Sequence, residues 1–287
     1  MKILKPALLA IIVVVSISAR SEASVLYAST AAGAAGHLYI LDAATGGMLQ
    51  DIGPLNDVAG ANYAVTGLAF HPLTGVLYGS TGNANTAAQG TLVKINPATA
   101  QVTVVGAFNA GPVNSGGDPS TMADIGFDGA GNLYGAASIG GPNLYSINTT
   151  TGQATLVGAN GVSTSTSGGG LAISSGGTFY GTPTSSRFGT YNSGTGAFTN
   201  IANPTKPTGG GAYGALDFDG AVLYGLNVGS GSPPPTALAT INTTTGAVTL
   251  VGNSVASLDA IAFYVPEPAA LSLFAFAASV LAIRRRR

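Results

Sequence analysis

The chain repeats itself, and the repeat constrains its fold more than any other feature. "VTGLAFHPLTGVLYGS" at 65–80 returns as "MADIGFDGAGNLYGAAS" at 122–138, "GGLAISSGGTFYGTPT" at 169–184 and "YGALDFDGAVLYGLNV" at 213–228. A second pattern follows each of these: "TLVKINPATAQVTVVGAF", "NLYSINTTTGQATLVGAN", "RFGTYNSGTGAFTNIAN" and "ALATINTTTGAVTLVGNS". Every copy holds four short β-runs separated by turn residues, which predicts an all-β propeller of four-stranded blades. The first copy is incomplete: it starts at "SVLYAST" (24–30), continues with "HLYILDAATGGMLQDIG" (37–53), and lacks the leading run. That run reappears alone as "LDAIAFY" at 258–264. A ring of five blades follows, four whole and one shared between the ends, in which the C-terminal strand completes the first blade and hides two sheet edges. An open solenoid or a sandwich has no need of a split repeat.

Most recurring residues have structural explanations. Asp42, Asn96, Asn148, Asn192 and Asn242 each end a run, with Gly46, Gly152, Gly196 and Gly246 four residues on. An Asx side chain bonds its own backbone in such a turn, and glycine supplies a positive φ. Ala100 takes the glycine's place in the second blade, so a differently built turn is expected there. Tyr27, Tyr78, Tyr134, Tyr180 and Tyr224 recur as strand residues and read as blade-to-blade packing. Leu68 and Phe70 alternate with Gly67 and Ala69, large against small, as interlocking twisted sheets require. Asp124, Asp217 and Asp259 fall on the innermost strands, near any central channel. They are the channel candidates, with bonding to loop amides favoured over an ion or water cluster.

Charge narrows the function. Lys2, Lys5, Arg20 and Arg284 to Arg287 hold most of the basic residues, leaving Lys94, Arg187 and Lys206 in the body against nine Asp and Glu267. Three scattered cations cannot neutralise a run of phosphates, so nucleic acid is not an expected partner. There is no cysteine, which removes disulfides and thiolate chemistry and is compatible with an oxidising exterior. At the start, Lys2 and Lys5 precede an apolar run, and Ser21-Glu22-Ala23 offers small residues at minus three and minus one, which predicts a secretory signal peptide over 1–23, cut after Ala23.

The end reads "VPEPAALSLFAFAASVLAIRRRR". Residues 269–283 would make a helix about 22 Å long against a hydrocarbon core of about 30 Å, short but insertable where the bilayer thins. Arg284, Arg285, Arg286 and Arg287 hold that end in the cytoplasm and leave the body outside. Pro266 and Pro268 keep the backbone around Glu267 extended, where a processing enzyme can grip it. Pro266-Glu267-Pro268, one apolar helix and a terminal Arg cluster resemble the PEP-CTERM sorting signal. The resemblance implies Sec export in exopolysaccharide-producing Gram-negative bacteria and recognition by a membrane-bound exosortase. It further implies removal of the tail, followed by release or attachment at the cell surface. A plain C-terminal anchor is the alternative.

The body, 24–264, also resembles bacterial surface propellers with "LAF…LYG…LYxIDxxTG…VG" repeats, including NHL-like and quinoprotein-like families; those motifs describe blades and carry no ligand site. The connections inside each pattern are tight. The others are long, at 79–90, 111–121, 158–168, 202–211 and 225–236, and alternate connections share one face, where a partner is expected. They are rich in Gly, Ser, Thr, Asn and Pro, with Tyr63, Phe108 and Tyr213 at their margins, which offers hydrogen bonds without clear sugar-stacking platforms. Clustered metal ligands and a nucleophile–base pair are both missing from the pattern: the body has His37 and His71, and "GGGLAIS" has a serine without an elbow. The N-x-T matches at Asn148 and Asn242 repeat the turn motif. The expectation is therefore a surface or matrix propeller, without cofactor or enzymatic activity, acting as a structural or interaction module towards matrix polysaccharide or surface proteins. A permanently anchored periplasmic-side binding protein and a channel-metal hydrolase are the rivals.

Overall fold

The computed structural model describes residues 23–31, 33–84, 86–109, 121–137, 143–159, 161 and 169–265. The expected signal peptide, apart from Ala23, lies outside them. So do Pro266, Glu267, Pro268, the apolar segment 269–283 and Arg284 to Arg287. Among the described residues no helix is long and apolar enough to cross a membrane.

Ser24–Tyr264 form one compact unit, with twenty strands among its described residues. The first blade holds β1 (Val25–Thr30), β2 (His37–Leu41) and β3 (Met48–Pro54). The second is β4 (Val65–Phe70), β5 (Leu77–Thr81), β6 (Thr91–Ile95) and β7 (Val102–Ala107), and the third β8 (Met122–Phe127), β9 (Leu133–Ala137), β10 (Leu144–Ile147) and β11 (Ala154–Gly158). The fourth is β12 (Leu171–Ile173), β13 (Phe179–Thr184), β14 (Arg187–Tyr191) and β15 (Phe198–Ala202). The fifth is β16 (Ala212–Asp219), β17 (Val222–Val228), β18 (Thr236–Ile241) and β19 (Val248–Asn253). The last strand, β20 (Leu258–Tyr264), returns to the first blade, whose order is β20-β1-β2-β3. Val25 lies opposite Tyr264, Ala28 opposite Ile261 and Ser29 opposite Ala260, so the ring closes as the split repeat requires.

The core is a set of seams. Each of five buried clusters joins two adjacent blades; one gathers Leu38 and Ala260 of the first blade with Val65, Leu68 and Val93 of the second. Its counterparts join second to third, third to fourth, fourth to fifth and fifth to first. The repeated tyrosines sit across these seams. Tyr27 packs on Phe70, Tyr78 on Phe127, Tyr180 on Phe218 and Tyr224 on Phe263, with ring centroids 4.9–5.7 Å apart. In each pair the phenylalanine belongs to the innermost strand of the next blade. Ile173 occupies that column in the fourth blade, and Tyr134 turns instead to Phe179 at 4.8 Å.

The five Asx turns form as their sequences predict: the side-chain oxygens of Asp42, Asn96, Asn148, Asn192 and Asn242 accept the amide two residues on at 2.9–3.0 Å. Ala100 corrects the expectation of a different turn. It takes φ 57°, close to the 68–78° of the four glycines, and keeps the same bond to Asn96 O. The glycines serve a second purpose, since a Cβ at Gly152 would stand 2.2 Å from Gly106 O and one at Gly196 2.4 Å from Gly158 O. The outermost strand of each preceding blade ends against these turns. At Ala100 the methyl group is instead buried in the cluster containing Leu55.

Candidate functional site

The innermost strands expose one row of backbone groups to the ring's centre, and their partners decide what the centre can do. Asp124 on β8 is fully buried. Its Oδ1 accepts the amide of Ile125 at 2.9 Å, and its Oδ2 accepts the amides of Leu171 at 2.8 Å and Leu216 at 3.0 Å. One carboxyl group thus bridges the innermost strands of three blades. Asp217 on β16 accepts the Phe218 amide at 2.8 Å through Oδ1 and the Phe263 amide at 2.6 Å through Oδ2. These are strand amides, where loop amides were expected. Asp259 lies on the closing strand, and a Cβ on Gly214 would approach its Oδ1 to 2.6 Å.

Burial pushes the Asp124 carboxyl well above its usual range; its three amide donors pull it down, and the charge of Asp217 pushes it up again. Burial likewise lifts Asp217 to about 7, against the amides of Phe263 and Phe218 and with a contribution from Asp219. Among the described residues no group of three or more His, Asp or Glu side chains stands together as metal ligands would.

The two aspartates complete a pattern that the sequence reading missed. Ser29 Oγ donates to Val65 O at 3.0 Å, Ser80 Oγ to Met122 O at 3.3 Å and Thr182 Oγ1 to Tyr213 O at 3.2 Å. Each reaches from the second strand of one blade to the innermost strand of the next, and Thr66 Oγ1 joins the same Met122 carbonyl at 2.8 Å. The third and fifth blades carry Ala136 and Leu226 at the equivalent position and have no hydroxyl to offer. Those are the junctions bridged by Asp124, third to fourth, and by Asp217, fifth to first. The signal lay in the two residues after the repeated tyrosine, Ala-Ser and Gly-Ser in the first two blades against Gly-Ala and Gly-Leu in the third and fifth.

At the opposite end from the tight turns lie the longer connections that the structure describes; most of 111–121 and of 158–168 lies outside the described residues. Some are shorter than expected, because β5 runs on to Thr81 and β17 to Val228, while 55–64 is a long connection that the sequence reading did not single out. Tyr63, Phe108 and Tyr213 are buried beneath these connections. Tyr63 donates its hydroxyl to Asp57 and Tyr213 to Thr205 O, so both hold loops down. The connection 203–211 is pinned again by Asn227, which is fully buried. Its Oδ1 accepts from the Thr208 amide and hydroxyl, and its Nδ2 donates to Gly210 O and Ala212 O. His37 and Asp51 meet at 3.0 Å on the outer strands of the first blade, away from the ring's centre. His71 packs on Phe127 at a tight turn.

A family model described as "Repeat of unknown function (DUF6923)" matches residues 58–218, more than half of the chain. No curated protein matches. Among solved structures, a structural-genomics protein of unknown function from Bacteroides thetaiotaomicron VPI-5482 is similar at 12% identity with a TM-score of 0.45, over 76% of this chain and 54% of that one. A puromycin hydrolase is similar at 16% identity with a TM-score of 0.36, over 71% of this chain and 29% of its own. The chain thus spans about half the length of the first and under a third of the second.

Proposed function

The chain belongs to the DUF6923 repeat family, and from that premise we propose that it is an exported propeller serving as a structural or interaction module at the cell surface or in the extracellular matrix. In this reading the Sec machinery exports it behind residues 1–23, and the segment 269–283 holds it in the inner membrane with Arg284 to Arg287 inside. An exosortase then processes it at Pro266-Glu267-Pro268. The ring has no turnover of its own and uses no cofactor.

One observation carries the reading. Val25 and Tyr264 pair side by side, so the chain enters and leaves the ring at one point, at the tight-turn end of the first blade. The described chain therefore starts and stops at the end of the ring opposite the long connections, which leaves those connections free of the chain's own ends. The inter-blade bonds of Asp124 and Asp217 support the same view, because they commit the central carboxyl groups to holding the ring.

Intact-mass analysis of the protein recovered outside the cell tests the proposal. A species starting at Ser24 and ending near Pro266-Glu267-Pro268 is expected. A mass that retains the tail through Arg287 would instead support a permanently anchored binding protein.

A further inference from the structure

We propose that the hollow at the tight-turn end of the fifth blade, built on Thr240, Thr249 and Asn242, holds one unit of a neutral polysaccharide; this rests on the reading of the chain as an exterior interaction module. The hollow has a volume of about 400 Å3 and is open to solvent. That volume lies in the lower part of the range of small-ligand sites, about 300–1,000 Å3. Thr240, Thr243, Thr249 and Asn242 line it together with apolar Val222 and Ala247, and none of its lining residues is charged. The strand register brings these residues together. Thr240 of β18 lies opposite both Tyr224 of β17 and Thr249 of β19, and Val222 stands two residues before Tyr224 on the same face. Asn242 N donates to Ala247 O across the turn between β18 and β19, which sets both residues beside the two threonines. Nearer the ring's centre this face packs on the first blade, where Tyr224 meets Phe263; at Val222 and Thr249 it is exposed.

The polar groups here are uncommitted. The hydroxyls of Thr240, Thr243 and Thr249 and the Nδ2 of Asn242 bond to no described residue, while Asn242 Oδ1 accepts the amides of Thr244 and Thr245 and so fixes its side chain. On the side of the long connections the reverse holds, since Tyr63, Tyr213 and Asn227 bond to the loops above them. A hydroxyl both donates and accepts, and two threonines directly opposite in an antiparallel pair have Cβ atoms about 4.5–5.5 Å apart, a spacing that one sugar ring spans. Val222 and Ala247 offer apolar surface to the C–H face of such a ring. A fixed turn and two paired strands lose little entropy on binding. The charge at the border is negative: Asp219 lies opposite Val222, where a carboxylate accepts from sugar hydroxyls and repels carboxylated or phosphorylated polymers. The other blades depart from this set. Thr190 lies opposite Thr199 in the fourth blade, but Thr178 stands there in place of Val222, and in the second blade Lys94 stands opposite Thr103.

The test measures binding of the full chain in mild detergent to immobilised dextran and mannan, with polygalacturonate as the acidic probe, at low and high sodium chloride. Wild type is expected to bind dextran or mannan equally well at both salt concentrations and to ignore polygalacturonate. The double variant T240V/T249V keeps the strand shape, removes both hydroxyls, and is expected to bind at least about fivefold more weakly. Val222→Glu, at an exposed position where a charge leaves the fold intact, sets a carboxylate against the sugar's apolar face and is expected to weaken binding by at least about fivefold too. T190V/T199V makes the threonine change on the fourth blade and is expected to bind as wild type does. Failure to bind either neutral polymer, binding that falls with salt, binding to polygalacturonate, wild-type binding by T240V/T249V or Val222→Glu, or an equal loss in T190V/T199V would each overturn the inference. Because none of these outcomes touches the mass of the exported species, the processing test stands or falls separately.

Discussion

Replacing Asp124 by alanine should be among the most damaging single changes in the ring. The variant leaves the amides of Ile125, Leu171 and Leu216 without their acceptor, and all three residues are essentially buried. An unsatisfied buried donor costs about 1–3 kcal/mol. Against this, alanine removes a carboxyl whose charged form is disfavoured by burial, and water can enter part of the space. A net loss of about 3–5 kcal/mol is the balance, which for a body of this size is roughly 6–20 °C in Tm. Asp124→Asn, which keeps one acceptor oxygen, should fall between Asp124→Ala and wild type. Urea unfolding followed by circular dichroism, with thermal melts alongside, measures both. If Asp124→Ala lies within about 0.5 kcal/mol of wild type, the bridging role given to this carboxyl is wrong, since that is the range of an ordinary surface change.

The hydroxyl bridges are smaller, and Ser80→Ala should cost about 1 kcal/mol in the same assay, Thr66 keeping its own bond to Met122 O. Gly152→Ala should cost about 3 kcal/mol or more, because it adds positive-φ strain to a clash with Gly106 O. Ala100→Gly should change stability by less than about 1 kcal/mol, strain relief offsetting a lost buried methyl. A similar effect from both would refute the account of the turns. Asp217 is lifted from 3.8 to about 7, so between these values the folded chain holds a proton that the unfolded chain has released. Stability should therefore decline as pH rises from about 4 to 7, by about 1–2 kcal/mol once partial solvent exposure is allowed for, and level off above. Asp217→Asn should flatten that slope; a stability that instead climbs with pH through this window in the wild type would contradict the shift.

The blades were legible because their pattern is periodic, so copies could be aligned within one sequence and the missing run of the first copy recognised in "LDAIAFY". The tyrosine contacts followed for the same reason. The Ala100 turn was misread because a short methyl side chain tolerates a positive φ where the neighbouring backbone leaves room, and that room depends on how β3 and Leu55 lie in the preceding blade. The strands that carry the central aspartates could be read from the repeat, but the amides that Asp124 meets lie 47 and 92 residues away, and the Phe263 amide that Asp217 meets lies 46 away. Only the assembled ring brings those amides within reach.

Ring closure is open to a direct measurement, because the chain contains no cysteine to interfere. Ser29 and Ala260 face each other across β1 and β20, and changing both to cysteine adds little volume. Mild oxidation of the folded double variant should give an intramolecular disulfide, seen by mass spectrometry of the non-reduced peptide pair. Two thiols that stay free in the folded protein would mean that the last strand does not complete the first blade.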